Sequence, residues 1–447
     1  MMSYLLLALA VLVAALVLNA NFPIRRSAAL VFPSFIAGWL TSELALQLLA
    51  LEAVLVLGFG LQGALRDWPG LLGLTILVAT TPGVLRLWRR ARDAANPLDT
   101  ALQDLGSLPP LPSASALPSV DSGSKLPSVD SGSKLPSSRM FYPFVRSDRE
   151  VRRYGDLRYA EGAGRFHLLD VYVPAGGAKR APVLLQIHGG GWFTGNKRQQ
   201  AMPLLLHMAR CGWVCVACNY RLSPRATFPE HLIDTKLALR WIREHIAEYG
   251  GDPNYVVVTG GSAGGHLSAL LALTPNLPEY QPGFEQVDTS VRACVPLYGV
   301  YDLTDRLRHQ RHVGLRELFS RWVIKQRFSH APEAFDRASP LSHVGAHAPP
   351  FFVIHGTHDN MASVEDAREL VQQLRAGSSG PVLYAEIPGA HHAFEIFHST
   401  RTAYVVHAIA RFLQALHARH LREHEGVATA TDAREEAAAL TGSIAVG

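Results

Sequence analysis

The sequence predicts an α/β fold, a doubly wound, mostly parallel sheet with helices on both faces, preceded by an all-α transmembrane helical region. Three observations carry that expectation. Short, β-branched apolar runs alternate with helical patterns through the second half of the 447-residue chain. Each crossover between parallel strands lays a helix back on the sheet, so such alternation builds parallel sheets. Long apolar blocks fill the first ninety residues, and no charge appears before Arg25. Finally, the stretch Gly260-Gly261-Ser262-Ala263-Gly264 stands between the run VVVT and the helix-like HLSALLAL.

The N-terminal block comes first. The segment from Met1 to Phe22 is long enough to cross a bilayer. A cleaved leader would have a basic start and a short apolar stretch, and this segment has neither. Further apolar blocks run from Leu44 to Leu65 and from Gly70 to Trp88. The stretch Ser27 to Leu40, with Pro33 and Gly38, either extends the second span or lies at the interface. A carboxylate in mid-membrane is costly, so Glu52 is expected to face another helix. Arg25 and Arg26 follow the first span, and Arg86, Arg89, Arg90 and Arg92 close the third. The positive-inside rule then predicts three spans, an outside N-terminus and a cytoplasmic remainder.

Residues 91–140 read as a flexible linker rich in Pro, Ser and Gly. It contains the tandem repeat LPSVDSGSK at 117–125 and 126–134, which has no hydrophobic face. Thus 1–90 is expected to be the membrane anchor, 141–420 the chemical domain and 421–447 a low-complexity, frayed tail. A net charge of +5 with no Lys/Arg block predicts no nucleic-acid partner. Cys215 and Cys218 sit inside a strand-like run rather than at a helix N-terminus, so core thiols are expected.

Within 141–420 the expected strands are HLLDVYV, VLLQIHG, VCVACNY, VVVTGG, RACVPLYG, FFVIHG and VLYAEIPG. Helix-like stretches separate them, such as HLIDTKLALRWIREHIAEYG, with apolar residues at 3–4 spacing and glycines at its end. Ser262 lies where G-x-S-x-G has physical meaning. A sharp strand-to-helix turn exposes the hydroxyl, and side chains two positions away would clash, so glycines flank it. Such a serine needs a base, the base needs an orienting acid, and a tetrahedral oxyanion needs donors. The run VLLQIHGGGW supplies a glycine loop, so backbone N–H groups of Gly190, Gly191 and Ala263 are the expected donors. His188 adjoins that loop and is expected to hold its shape.

Two acids follow the serine at strand ends, Asp302 and Asp359. Asp359 is preferred because it lies one strand before the histidine, and Asp302 is expected to open a lid-like segment reaching Ser339. Residues 141–160 are expected to contribute to that lid. The run IPGAHHAFEIF offers His391 and His392 as base, and His392 is chosen. His309, His312 and His330 lie in a basic, solvated stretch. No zinc spacing appears and no cofactor is expected.

On these residues the sequence resembles the hormone-sensitive-lipase-like carboxylesterases of the α/β-hydrolase fold. The likeness covers roughly residues 165 to 415. It rests on HGGGW at 188, NYRLSPRATFPEHLIDTKLALRWI from Asn219, GGDP at Gly250, GGSAGGHL at Gly260, HGTHD at 355 and GAHHAFE at Gly389. Gly261 departs from it, since most of that family has an acidic residue before the serine. Glycine there is similar to the neighbouring arylformamidase-like branch. The apolar block resembles the arrangement of some bacterial membrane-anchored esterases, which implies the inner membrane. The resemblance implies hydrolysis of short-to-medium acyl esters, lipophilic ones among them, through an acyl-enzyme on Ser262 with His392 and Asp359. An amidohydrolase, a deacetylase or an acyltransferase using the same serine remains the alternative.

Overall fold

The strands are β1 (Val151–Arg158), β2 (Leu168–Pro174), β3 (Ala181–Ile187), β4 (Val214–Cys218), β5 (Gly251–Gly261), β6 (Cys294–Leu297), β7 (Phe351–Gly356) and β8 (Val382–Ile387). In the computed structural model they make one sheet in the order β1-β2-β4-β3-β5-β6-β7-β8. The structure describes residues 1–25, 27–107, 143–144, 147–306 and 317–442. The tandem repeat, His309 and His312 lie outside them. The pairs β1–β2 and β2–β4 are antiparallel, and every other pair is parallel. A buried parallel sheet needs apolar side chains on both faces. Strand β3 supplies them: Val183, Leu185 and Ile187 enter one core and Leu184 the other.

The helices of this part are α6 (Met202–Arg210), α7 (Glu230–His245), α8 (Ala263–Leu273), α9 (Pro332–Arg337), α10 (Val364–Gly377) and α11 (Thr400–Gly442). Apolar residues of α7, α8 and α10 fill the first core, and those of α6 and α11 the second. The backbone of α11 stays helical through Gly442, well into the segment expected to be a frayed tail.

Two further expectations change. Residues 151–158, considered for a lid, form the edge strand β1. Its sequence VRRYGDLR shows no apolar alternation because six of its eight positions are exposed. The first part of the expected linker is also structured. Helix α5 (Ala95–Gln103) buries Leu98, Ala101 and Leu102 in the second core, where they meet β8 and α11. These residues recur at 3–4 spacing, a signal lost when composition is averaged over the Pro/Ser-rich residues that follow.

The N-terminal block folds as α1 (Met2–Asn21), α2 (Ala28–Glu43), α3 (Ala45–Leu61) and α4 (Trp68–Arg92). By length and composition, Met2–Asn21 and Trp68–Gln103 can each cross a membrane. Helices α2 and α3 pass the same test only as a pair, bent by 83°. Glu52 is buried. Ser3 donates to Asp67 at 3.1 Å and Tyr4 meets Trp68 edge-on, so the chain start and the α3–α4 connection share one end of the bundle. The opposite end meets the sheet domain. There Arg25 donates to the Thr357 carbonyl at 2.7 Å, and His391 pairs with the Ala20 carbonyl at 3.0 Å.

The firmest link between the two parts is a buried ion pair. Arg401 on α11 donates to Glu43 at the end of α2 and, at 3.2 Å, to Ser42. Ser399 donates to the other Glu43 oxygen at 2.6 Å. Both charged side chains are fully buried. Removing one partner of such a pair costs about 3–5 kcal/mol, because the other charge stays buried alone. Arg401→Met is therefore expected to lower the melting temperature of the full-length protein in detergent clearly, and adding Glu43→Leu to recover most of the loss. A single variant that melts with the parent would show the pair to be inert.

Candidate active site

Strand β5 ends at Gly261, α8 begins at Ala263, and Ser262 makes the whole turn between them. Its backbone sits at φ 58° and ψ −122°, a strained conformation for a residue with a Cβ. Such strain costs on the order of 1–3 kcal/mol and persists only where surroundings over-determine it. Here the Ser262 N–H donates to the Leu297 carbonyl at the end of β6, at 3.0 Å. A Cβ on Gly264 would run into the Ile187 and His188 carbonyls, and one on Gly260 into Gly264 itself. Both glycines are needed for the turn to lie against β3.

The loops after β7 and β8 bring two more side chains to the serine. His392 Nε2 lies 2.7 Å from Ser262 Oγ, and His392 Nδ1 lies 2.7 Å from Asp359 Oδ2. Asp359 Oδ1 accepts the backbone N–H groups of Met361 at 2.8 Å and Ala362 at 2.9 Å. The His355 imidazole stands 3.4 Å from Oδ2. Burial alone would raise the Asp359 carboxyl. The facing His392 and the hydrogen bonds from His355 and His392 outweigh it and hold the carboxyl well below its ordinary value. An ionised Asp359 accepts the Nδ1–H, which leaves the Nε2 lone pair facing the serine hydroxyl.

The glycine loop passes beside the same serine. A Cβ on Gly189 would lie 3.1 Å from Ser262 Cβ. Gly190 and Gly191 have φ of 114° and 62°, values that favour glycine. His188 Nδ1–H donates to the Gly189 carbonyl at 2.7 Å, and its ring stacks on Tyr220 at 4.3 Å. Burial pushes His188 down to about 4, so it stays neutral near pH 7. It braces the loop and does not touch the serine–imidazole pair. Trp192, which closes the loop, meets Phe319 edge-on at 5.0 Å. The described part of the expected lid thus packs into the core through Phe319 and Phe335.

The rejected alternatives lie elsewhere. Asp302 caps its own turn, accepting from the Thr304 and Arg306 N–H groups. His391 points to Ala20. All four cysteines are free. Among the described residues no cluster of His, Cys, Asp or Glu side chains is placed to hold a metal ion.

The probable carboxylic ester hydrolase LipM of Mycobacterium tuberculosis is 42% identical over 431 residues, 95% of this chain and 96% of that protein. The chain belongs to this carboxylic ester hydrolase family. Esterase LipQ of the same organism is 44% identical over 62% of this chain and 66% of its own length. The BD-FAE family matches residues 169–374. A crystal structure of esterase B from Lactobacillus rhamnosis aligns with a TM-score of 0.53 and 21% identity, covering 65% of this chain and 92% of that one. The likeness in shape, the sheet order and the strand-to-helix turn identify an α/β-hydrolase fold behind a helical N-terminal region.

Three side chains of this hydrolase's site were not legible beforehand. The Tyr298 ring stands 4.7 Å from the His392 ring and its hydroxyl donates to Glu395, both buried. Phe35 of α2 meets the same imidazole edge-on at 5.7 Å. Burial raises the Glu395 carboxyl despite the Tyr298 hydrogen bond. These two residues also account for Gly261. A side chain there would run into the Tyr298 hydroxyl and come within 3.0 Å of Glu395 Oε1. The space that an acidic residue before the serine would use is already filled by Tyr298, just after β6, and by Glu395, in the loop after β8. Gly261→Asp is accordingly expected to lower both melting temperature and turnover, and Glu395→Ala in the same chain to restore part of each. Parental stability and rate in Gly261→Asp alone would contradict this packing.

Proposed function

We propose that this chain is a membrane-anchored serine carboxylesterase that hydrolyses short-to-medium acyl esters through an acyl-enzyme. The observation that carries the reading is the pair of 2.7 Å contacts linking Ser262 Oγ, the His392 ring and Asp359. Ser262 Oγ attacks the ester carbonyl carbon while its proton passes to His392 Nε2. Asp359 holds the imidazole and stabilises the imidazolium. The carbonyl oxygen becomes an oxyanion, met by the N–H groups of Gly190, Gly191 and Ala263. Removing one such donor typically costs about 2.7–4 kcal/mol of transition-state stabilisation. His392 returns the proton to the alkoxide, the alcohol leaves, and an acyl-Ser262 remains. Water then attacks with the same imidazole as base, releasing the acid and the serine.

Anchoring is supported by the apolar helices and by where their ends lie. Helices α1 and α4, each long and apolar enough to cross, run between the Ser3–Asp67 end and the end that meets the hydrolase domain, and the 17-residue α3 runs back between the same ends. Arg25, Arg89, Arg90 and Arg92 gather at the domain end, the side the positive-inside rule assigns to the cytoplasm. Protease added to intact cells should then spare the hydrolase domain.

A fluorophosphonate probe tests the chemistry. Covalent labelling of the full-length protein, abolished in Ser262→Ala, is expected. Asp359→Asn should fold, yet lose about 10⁴ in kcat because the imidazole loses its orienting acceptor. Equal labelling of the Ser262→Ala chain, or faster turnover of acyl amides than of matched p-nitrophenyl esters, would overturn the proposal.

A further inference from the structure

Helix α2 is placed unlike a membrane span. Its whole length lies along the hydrolase domain, over the two loops that carry Asp359 and His392. At its start, the Asn360 amide donates to the Ile24 carbonyl at 2.9 Å and the Val31 carbonyl at 3.3 Å. In its middle, Phe35 meets the His392 ring edge-on, and Gly38 lies so close to His391 that a Cβ would come 2.5 Å from the ring. Further on, Trp39 stacks on Phe397 at 4.7 Å, and the Glu43–Arg401 pair closes the contact. Tyr298 covers another side of the imidazole at 4.7 Å. His392 is therefore flanked by a ring from the segment just after β6 and a ring from the N-terminal block.

The outer side of α2 is apolar as well. Leu30 and Phe32 are about half exposed, at 49% and 57%, and Leu40 at 38%. Phe32, Phe35, Trp39 and Phe397 follow one another with ring centres 6.0, 5.7 and 4.7 Å apart. The row thus runs from an exposed ring to the imidazole and past it. A helix that turns by 83° into an apolar neighbour, with exposed Leu and Phe on its outer side, fits the boundary between a bilayer and a water-soluble domain. It does not fit a surface bathed in water.

We propose that α2 is the lipid-side wall of the ester site and that Phe35 is its specificity-determining residue, contacting the hydrocarbon chain of a neutral ester dissolved in the bilayer. The substrate class follows from the chemistry of that wall. Rings of Phe and the face of Trp39 accept an alkyl chain, and the row carries no charged group to pair with an anionic one. The inference rests on the serine-esterase reading of Ser262 and His392, and it adds the side from which the substrate arrives.

The test uses the full-length chain in phosphatidylcholine nanodiscs, with 4-nitrophenyl octanoate and 4-nitrophenyl acetate as probes. The readout is the ratio of kcat/KM for octanoate to that for acetate, in which the amount of folded enzyme cancels. Phe35→Ala is expected to lower this ratio by about tenfold or more, mainly through a higher KM for octanoate, since apolar pocket contacts discriminate by that order. Phe35→Leu, which keeps an apolar side chain, should retain most of it. Phe32→Ala, changed at an exposed position, should lower it too and serves if Phe35→Ala does not accumulate. A parental or raised ratio in the Phe35→Ala chain, or failing that in Phe32→Ala, would reduce α2 to a mechanical support and overturn the inference. A parent without Ser262-dependent turnover of either ester would instead sink the esterase reading itself.

Discussion

The His392 imidazole is the point on which the rest of the structure converges. Two hydrogen bonds of 2.7 Å fix it between an acid and a hydroxyl that come from different loops. The two loops are held in different ways. The serine turn is strained and is pinned by β6 and by the glycines that let β3 approach. The Asp359 carboxylate is locked by its own loop's N–H groups and by His355. The sheet order puts the ends of β5, β7 and β8 on one edge, where three short loops can meet. A register slip in any of these strands would separate groups that work only at contact distance.

The imidazole loop also depends on the N-terminal helices. Several buried polar groups are paired across that junction: the Asn360 amide nitrogen with carbonyls of the α1–α2 connection and of α2, His391 Nε2 with Ala20, and Ser399 and Arg401 with Glu43. An unmatched polar group in an apolar interface carries a desolvation penalty that a shifted docking would incur. The pairing therefore selects one orientation of the helical block, and that orientation sets Phe35 against His392. The helical block and the site are mechanically one unit, since Phe35 and the apolar stripe of α5 are part of the second core beside the sheet.

Much of this was legible in the sequence because the signals are local. The strand runs reflect burial on both faces, and all seven expected runs lie in the sheet. Ser262 was legible because a strained turn demands glycine at fixed offsets. Asp359 and His392 could be named from strand order alone, and the structure brings both to the serine. Strand β1 was missed because an exposed edge leaves no apolar alternation. Helix α5 was missed because its short apolar stripe adjoins a long Pro/Ser-rich stretch. Tyr298, Glu395 and Phe35 left no signal, since their roles arise from contacts between segments far apart in the chain. Gly261 was legible only as a departure, and its reason lies downstream in Tyr298 and Glu395.

The most direct test of the account is a structure of the full-length protein after reaction with a phosphonate ester. One covalent bond is expected, from phosphorus to Ser262 Oγ, with the phosphoryl oxygen within hydrogen-bond reach of the Gly190, Gly191 and Ala263 N–H groups and His392 Nε2 still beside Oγ. An adduct on another residue, or a phosphoryl oxygen turned away from the glycine loop, would contradict it.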